Sequence, residues 1–200
     1  MGFATTSALA FVAFFGYLAA SSFVYQDLYG ASPVLFSALF AVNAIGMLIA
    51  SQLNHLLLRR FTPRQLLGTG LIAGTGAGLA VLAVTVVGGL GIVALAVPLF
   101  ILVASLGFVF PDSTALALSL HPDVAGSASA YFGTFRLGLG ALATTLVGIG
   151  GTVSGLPMAI VIAVSSAAAL AVFAAVAART CTLTPILDTP EEAATDMPVG

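Results

Sequence analysis

The sequence contains very little charge. Only 6% of its 200 residues are charged, 60% are hydrophobic, and all five basic residues are arginine. A soluble domain carries roughly 25% charged residues, so this composition excludes a soluble globular protein. A mean hydropathy of +1.18 instead places nearly the whole chain in a lipid bilayer, which is the first partner that we expect.

Cysteine and histidine are also scarce. The single cysteine, Cys181, excludes a disulfide within the chain and any multi-cysteine metal site. Two histidines are too few to favour metal catalysis, and the sequence lacks HExxH, GxGxxG, P-loop and nucleophile-elbow motifs. We therefore expect no enzymatic activity, no cofactor and no bound metal.

Six apolar segments are each long enough to span a bilayer, which takes about 20 residues per helix. Turn or polar residues bound them, and they cover residues 3–24, 33–53, 65–87, 91–120, 125–150 and 156–178. The pattern predicts an all-α membrane protein with one six-span transmembrane domain over residues 1–178. Residues 179–200 are acidic and lack apolar periodicity, which predicts a disordered tail and argues against nucleic acid as a partner.

The arginines lie on one side of the predicted bundle. Arg59, Arg60 and Arg64 lie in the loop between the second and third segments, and Arg179 follows the sixth. The first, third and fifth loops contain no arginine or lysine. Because basic loops stay in the cytoplasm, we predict a multi-pass protein of the cell's inner membrane with the arginine loop and both termini inside.

Small residues recur at every fourth position on three of the predicted helices, a spacing that lets membrane helices approach closely. The sets are Gly70, Gly74 and Gly78 on the third helix, Ala163, Ala167, Ala171 and Ala175 on the sixth, and Ala125, Ser129 and Gly133 on the fifth. The third and sixth helices carry almost no polar or aromatic residues, so we expect them to form a lipid-facing scaffold.

The other four helices carry most of the polar and aromatic side chains and are expected to share an interior surface. The candidates for the wall of a binding cavity are Tyr17, Asn43, Tyr131 and Phe135. For each of them the alternative is that the side chain only fills a gap in the packing.

Asp112 and Arg136 are the ionisable residues well inside the segments, where charges are costly and mark functional sites. Their depths on either side of the turn at 121–123 differ by roughly 6 Å at 1.5 Å per residue, so we predict that they pair. The pair either only joins the two helices, or Asp112 exchanges protons and Arg136 contacts an anionic or polar solute. Pro111 predicts a kink just before Asp112, which either lines a cavity or is a passive bend.

Three parts of the sequence resemble one family of membrane proteins. Residues 17–54 begin YLAASSFVYQDLYG and contain Asn43-Ala44, residues 52–64 end in the arginine loop, and residues 111–130 contain PDSTALAL and AGSASA. These resemble, in turn, the seventh and eighth helices, the recurrent basic loop, and the tenth and eleventh helices of Bcr/CflA-type drug-resistance transporters of the major facilitator superfamily. The resemblance covers about residues 3–178.

The resemblance implies a twelve-helix exporter with a central cavity between two six-helix halves, of which this chain is the C-terminal half. It further implies multidrug efflux of small amphipathic molecules by proton antiport, with an N-terminal half or a second copy as partner. Asp112 and Arg136 depart from the family, in which asparagine and a glutamine-like residue are usual. The alternative is a non-transporting fragment or split half that assembles with a partner half.

The predicted orientation can be tested with reporter fusions. A reporter inserted at Thr62, within the arginine loop, is expected to be active only in the form that works inside the cell, because the adjacent arginines resist translocation. An external signal from this fusion would overturn the orientation and the expectations that depend on it.

Overall fold

The structure, a computed structural model, describes residues 2–118, 125–149 and 155–181. These ranges contain helices and no strand, in the order α1 Gly2–Phe23, a π-helical turn Val24–Leu28, α2 Pro33–Leu57, α3 Pro63–Val87, α4 Gly91–Leu118, α5 Ala125–Ile149 and α6 Leu156–Cys181. Five of the six α-helices are long and apolar enough to cross a membrane. The predicted all-α membrane fold is therefore confirmed.

Two helices begin where the sequence places strong start signals. The Ser32 hydroxyl accepts from the Leu35 amide ahead of α2, and Thr62 forms a reciprocal capping box with Gln65 ahead of α3. Each cap is followed by a proline, which suits the first helical position because its missing N–H has no partner there. The arginine loop between them is consequently short and well defined.

The helix bounds differ from the predicted segments mainly at the ends. The first helix continues through the π-helical turn to Leu28, and α2 continues four residues past its predicted end to Leu57. Residues 179–181 form the last turn of α6, whereas the rest of the predicted tail and the turn at 121–123 lie outside the described residues.

The bundle is built around α1 and α4, which contact each other. Helices α3 and α6 pack on one side of this central pair, with α3 mainly against α4 and α6 mainly against α1. On the other side α2 packs mainly on α4, and α5 packs mainly on α1. The grouping agrees with the predicted division into two kinds of helix, and the lipid-facing role of α3 and α6 stays a prediction.

The glycine ladder of α3 is a true packing surface. Gly70 and Gly74 face α4, where an added Cβ at Gly74 would lie 2.8 Å from the Ser105 hydroxyl oxygen. Gly78 faces α6, where an added Cβ would lie 2.7 Å from the hydroxyl oxygen of Ser166. These glycines therefore let α3 approach two neighbouring helices at once.

The alanine ladder predicted on α6 is wrong beyond its first member. Ala163 is buried, but Ala167, Ala171 and Ala175 are exposed. The helix packs instead through a face that contains Ile162, Ser165, Ser166 and Ala169. On α5, Ser129 is exposed and an added Cβ at Gly133 would meet nothing within 4 Å, so that ladder is not a contact either.

Helix α2 touches the rest of the bundle along one narrow stripe. Its buried residues are Asn43, Gly46, Ala50 and Asn54, which the three- and four-residue spacing places on one helix face. Opposite them, an added Cβ at Gly107 of α4 would lie 2.6 Å from the carbonyl oxygen of Met47 and 2.9 Å from the amide nitrogen of Ser51. We call this contact the α2–α4 seam.

Substitution of Gly107 by alanine is expected to destabilise the bundle by about 1–3 kcal/mol, the usual cost of overpacking. The added methyl group would meet backbone atoms, which cannot rotate away as a side chain can. The free energy of unfolding in mixed detergent micelles measures this cost. Gly76→Ala is the matched control, since an added Cβ there meets nothing within 4 Å; equal stability of the two variants would contradict the seam.

Candidate functional site

A buried carboxyl group lies at the cytoplasmic end of the α2–α4 seam, in the predicted orientation. Asp112 of α4 accepts a hydrogen bond of 2.9 Å from the side-chain amide of Asn54 of α2, and each side chain is only 1% exposed. Asp112 Oδ2 and Asn54 Oδ1 have no hydrogen-bond partner among the described residues. Two adjacent buried acceptors therefore lack a donor, which is an energetically costly arrangement.

A second polar contact lies farther along α2. The Asn43 side-chain amide donates a hydrogen bond of 2.9 Å to the Tyr17 hydroxyl of α1, and both side chains are buried. The Tyr17 ring stacks on Phe40 with centroids 6.2 Å apart. The two cavity-wall candidates Tyr17 and Asn43 are thus brought together, as a closed contact between α1 and α2.

The guanidinium group of Arg136 projects from α5 among aromatic rings. Its central carbon lies 4.7 Å from the ring centre of Phe11, 5.2 Å from that of Phe110 and 5.3 Å from that of Phe132. Its Nη1 donates a long hydrogen bond of 3.4 Å to the Thr114 hydroxyl. We call these four partners and Arg136 the aromatic box.

The predicted pair of Asp112 and Arg136 is not what the structure contains. Both side chains are described: Asp112 bonds to Asn54 and Arg136 bonds to Thr114, and the remaining polar atoms of each have no hydrogen-bond partner among the described residues. Residues two apart lie about 200° apart around an α-helix, so Asp112 and Thr114 face opposite sides of α4. The two side chains therefore point to different neighbours of α4, which separates the charges.

The other two wall candidates lie on α5 and remain open. Tyr131 and Phe135 are one helical turn apart, and their rings stack with centroids 6.0 Å apart. Tyr131 is 61% exposed and Phe135 is 36% exposed. They form an exposed aromatic surface on the helix that also carries Arg136, and their role in a cavity stays a prediction.

Pro111 lies inside α4, which continues as a helix on both sides of it. Proline cannot donate to the carbonyl of the residue four positions earlier, which here is Gly107. The weakened turn thus includes the glycine of the seam and ends directly before Asp112. This is a favourable place for α4 to bend, although the predicted kink itself stays a prediction.

The three arginines of the basic loop have different environments. Arg59 and Arg60 are exposed, which suits the cytoplasmic position predicted for this loop. Arg64 instead donates a hydrogen bond of 2.7 Å to the carbonyl oxygen of Ala177, in the last turns of α6. A cation at this end of a helix stabilises the helix dipole, so Arg64 also joins α3 to α6.

Several residues of these contacts were not among the predicted site residues. Asn54 had a detectable signal, because it follows Asn43 by eleven residues, three full turns of the same helix face. Phe11, Phe110 and Thr114 carried no such signal, since phenylalanine and threonine are common in membrane helices.

Tyr25, at the π-helical turn, is a further buried polar residue that was not predicted as a site residue. Its side chain is 1% exposed, and its hydroxyl has no hydrogen-bond partner among the described residues.

The interior between α1, α3, α4 and α6 holds a cavity of about 20 Å³, lined partly by Thr75, Ser105 and Ser166. This volume accommodates about one water molecule. A small-molecule site therefore does not fit into this cavity.

The chain is similar to one curated transporter. It is 32% identical over 166 residues to the uncharacterized MFS-type transporter YdgK of Bacillus subtilis (strain 168), a match that covers 83% of this chain and 41% of that protein. The chain thus spans about two fifths of the length of the curated relative. No family model and no solved structure matches it. The similarity supports the major facilitator superfamily, and the Bcr/CflA subtype stays a prediction.

The contact between Tyr17 and Asn43 can be measured with a double-mutant cycle. Tyr17→Phe and Asn43→Leu are each expected to destabilise the protein, and their coupling is expected to be about 0.6–1.7 kcal/mol, as for other hydrogen bonds in membrane bundles. Unfolding in mixed detergent micelles gives the four free energies. Tyr131→Phe, the same change at an exposed ring, should have almost no effect; a zero coupling energy would refute the contact.

Proposed function

Because the chain is similar over most of its length to a transporter of the major facilitator superfamily, we propose that it forms six helices of such a transporter. The whole transporter exports small amphipathic compounds in exchange for protons. Export and proton coupling come from the Bcr/CflA resemblance, while the residues described above suggest where the chemistry takes place.

The buried carboxyl group of Asp112 carries the proposal. An ionisable group inside a spanning helix is expensive and is retained where it serves transport. Within the described ranges, the one hydrogen bond of its side chain joins α4 to α2 across the seam, and its second oxygen has no donor there. We assign to Asp112 the exchange of a proton, with Asn54 as the residue that positions the carboxyl group.

The aromatic surfaces on the same side of the bundle supply contacts for an amphipathic molecule. Phe40, whose ring stacks on the buried ring of Tyr17, is partly exposed at the junction of α1 and α2, and Tyr131 with Phe135 offers an exposed stacked pair on α5. Ligand sites are lined mainly by aromatic and apolar side chains with a few polar groups. We propose that substrate binds between these two surfaces.

Asp112→Asn is expected to abolish active efflux without changing the amount of protein in the membrane. Asparagine preserves the size of the side chain but cannot release a proton, so coupling to the proton gradient fails. Accumulation of a fluorescent amphipathic dye in a pump-deficient host, with and without a protonophore, measures this. Wild-type cells should accumulate more dye when the protonophore is added, whereas variant cells should not respond.

Asp27→Asn is the matched control for the efflux assay. Asp27 is an exposed acid at the end of the π-helical turn, and the same substitution there makes the same change in charge. It should leave dye efflux intact. Protonophore-sensitive efflux by the Asp112→Asn variant would remove Asp112 from the mechanism.

A second proposal follows from the share of the relative that the chain covers. Since the match includes 41% of that transporter, activity is proposed to require a further six-helix half, or a second copy of this chain. The alternative is that this chain does not itself transport and only assembles with a partner half. Mass measurement of the detergent-solubilised protein, taken from its own host, distinguishes a homodimer from a complex with another half; monomers alone would exclude both.

A further inference from the structure

Arg136 is a cation without an anion in the described part of the chain. The acidic residues that the structure describes are Asp27, at the end of the π-helical turn, and Asp112, which faces α2. Within the aromatic box the guanidinium group has only ring faces and one long hydrogen bond for compensation. An unpaired charge in a spanning helix is costly, and no described residue supplies the anion that would balance this one.

The unused part of the guanidinium group is its side edge. Nη1 is engaged by Thr114, whereas Nε and Nη2 are shielded from solvent and have no hydrogen-bond partner in the part of the chain that the structure describes. The N–H bonds of Nε and Nη2 lie side by side and nearly parallel in the plane of the group. This edge is one of the two through which arginine binds a carboxylate with two hydrogen bonds.

The surroundings restrict the anion that would fit. One guanidinium group balances one negative charge, and the other arginines with described side chains lie in or beside the loop between α2 and α3. The partners nearest the charge are the rings of Phe11, Phe110 and Phe132, which favour an apolar or aromatic body next to it. A singly charged carboxylate therefore fits better than a doubly charged phosphate.

We propose that the aromatic box is a binding site for amphipathic monocarboxylates, such as aromatic acids, with the Nε–Nη2 edge of Arg136 holding the carboxylate. The inference rests on the proposed function, because it names the class of compound that the transporter carries. It also assigns Arg136 as the residue that selects anionic compounds over neutral ones of the same shape.

Equilibrium binding of radiolabelled benzoate to the purified chain tests the site without any transport step. Benzamide is the matched probe, since it has the same ring and shape but no charge. Wild-type protein should bind benzoate at least about tenfold more tightly than benzamide, because two charge-assisted hydrogen bonds are lost with the amide. Arg136→Gln should remove that preference, and Arg136→Lys should keep part of it.

Arg60→Gln is the control variant. It makes the same change of net charge at an exposed loop residue and should leave both affinities unchanged. Circular dichroism of all variants at matched concentration confirms that they remain helical. Equal binding of benzoate and benzamide by the wild type, no binding of either, or an unchanged preference in Arg136→Gln would each overturn the proposal.

The result is separable from the proposed function. Benzoate binding that depends on Arg136, in a protein that does not lower dye accumulation in cells, would keep the site and remove drug export. Protonophore-sensitive dye efflux that is unchanged by Arg136→Gln, together with equal binding of the two probes, would keep export and remove the carboxylate site.

Discussion

The close contact of α2 with α4 is the constraint on which the polar side of the bundle depends. Helix α2 is attached through four small or polar residues on one face, Asn43, Gly46, Ala50 and Asn54, and the glycine at position 107 lets the two backbones meet. Without a hydrophobic driving force between helices in lipid, such close packing and hydrogen bonds provide the attraction. A bulkier residue at the centre of the seam would move both amides away from their partners.

The hydrogen bond between Asp112 and Asn54 also orients α4 about its axis. Asp112 bonds to Asn54 of α2, while Phe110 and Thr114, two residues away on either side and so on the opposite side of α4, contact Arg136 of α5. One helix therefore presents its acid to one neighbour and the partners of the basic residue to another. Ion pairing of Asp112 with Arg136 would require α4 to turn, which would break the hydrogen bond between Asp112 and Asn54.

The sequence determined the fold more fully than the site. Six long apolar segments and their turns predict six helices, because the energetic cost of exposing backbone groups to lipid leaves few alternatives. Spacing also identified the glycines of α3. The recurring alanines of α6 gave a wrong prediction of the face that packs. Alanine is small enough for close helix contacts and also apolar enough to face lipid, so its recurrence does not distinguish the two faces. The predicted ion pair of Asp112 with Arg136 was wrong for a related reason. Counting residues gives the position of a side chain along a helix, but it does not say towards which neighbouring helix that side chain points.

If Asp112 carries a proton and Arg136 holds a carboxylate, the two proposals place their ligands on opposite faces of one helix. The proton and the substrate then need not touch each other, because both sites include residues of α4. The proton site contains Asp112, at the seam, and the carboxylate site contains Phe110 and Thr114, in the aromatic box. The turn between Gly107 and Pro111 lacks one backbone hydrogen bond because proline has no N–H, and Asp112 directly follows it. A bend at this turn would change the α2 contact and the Phe110–Thr114 face together, which is a physical route by which the state of one site affects the other.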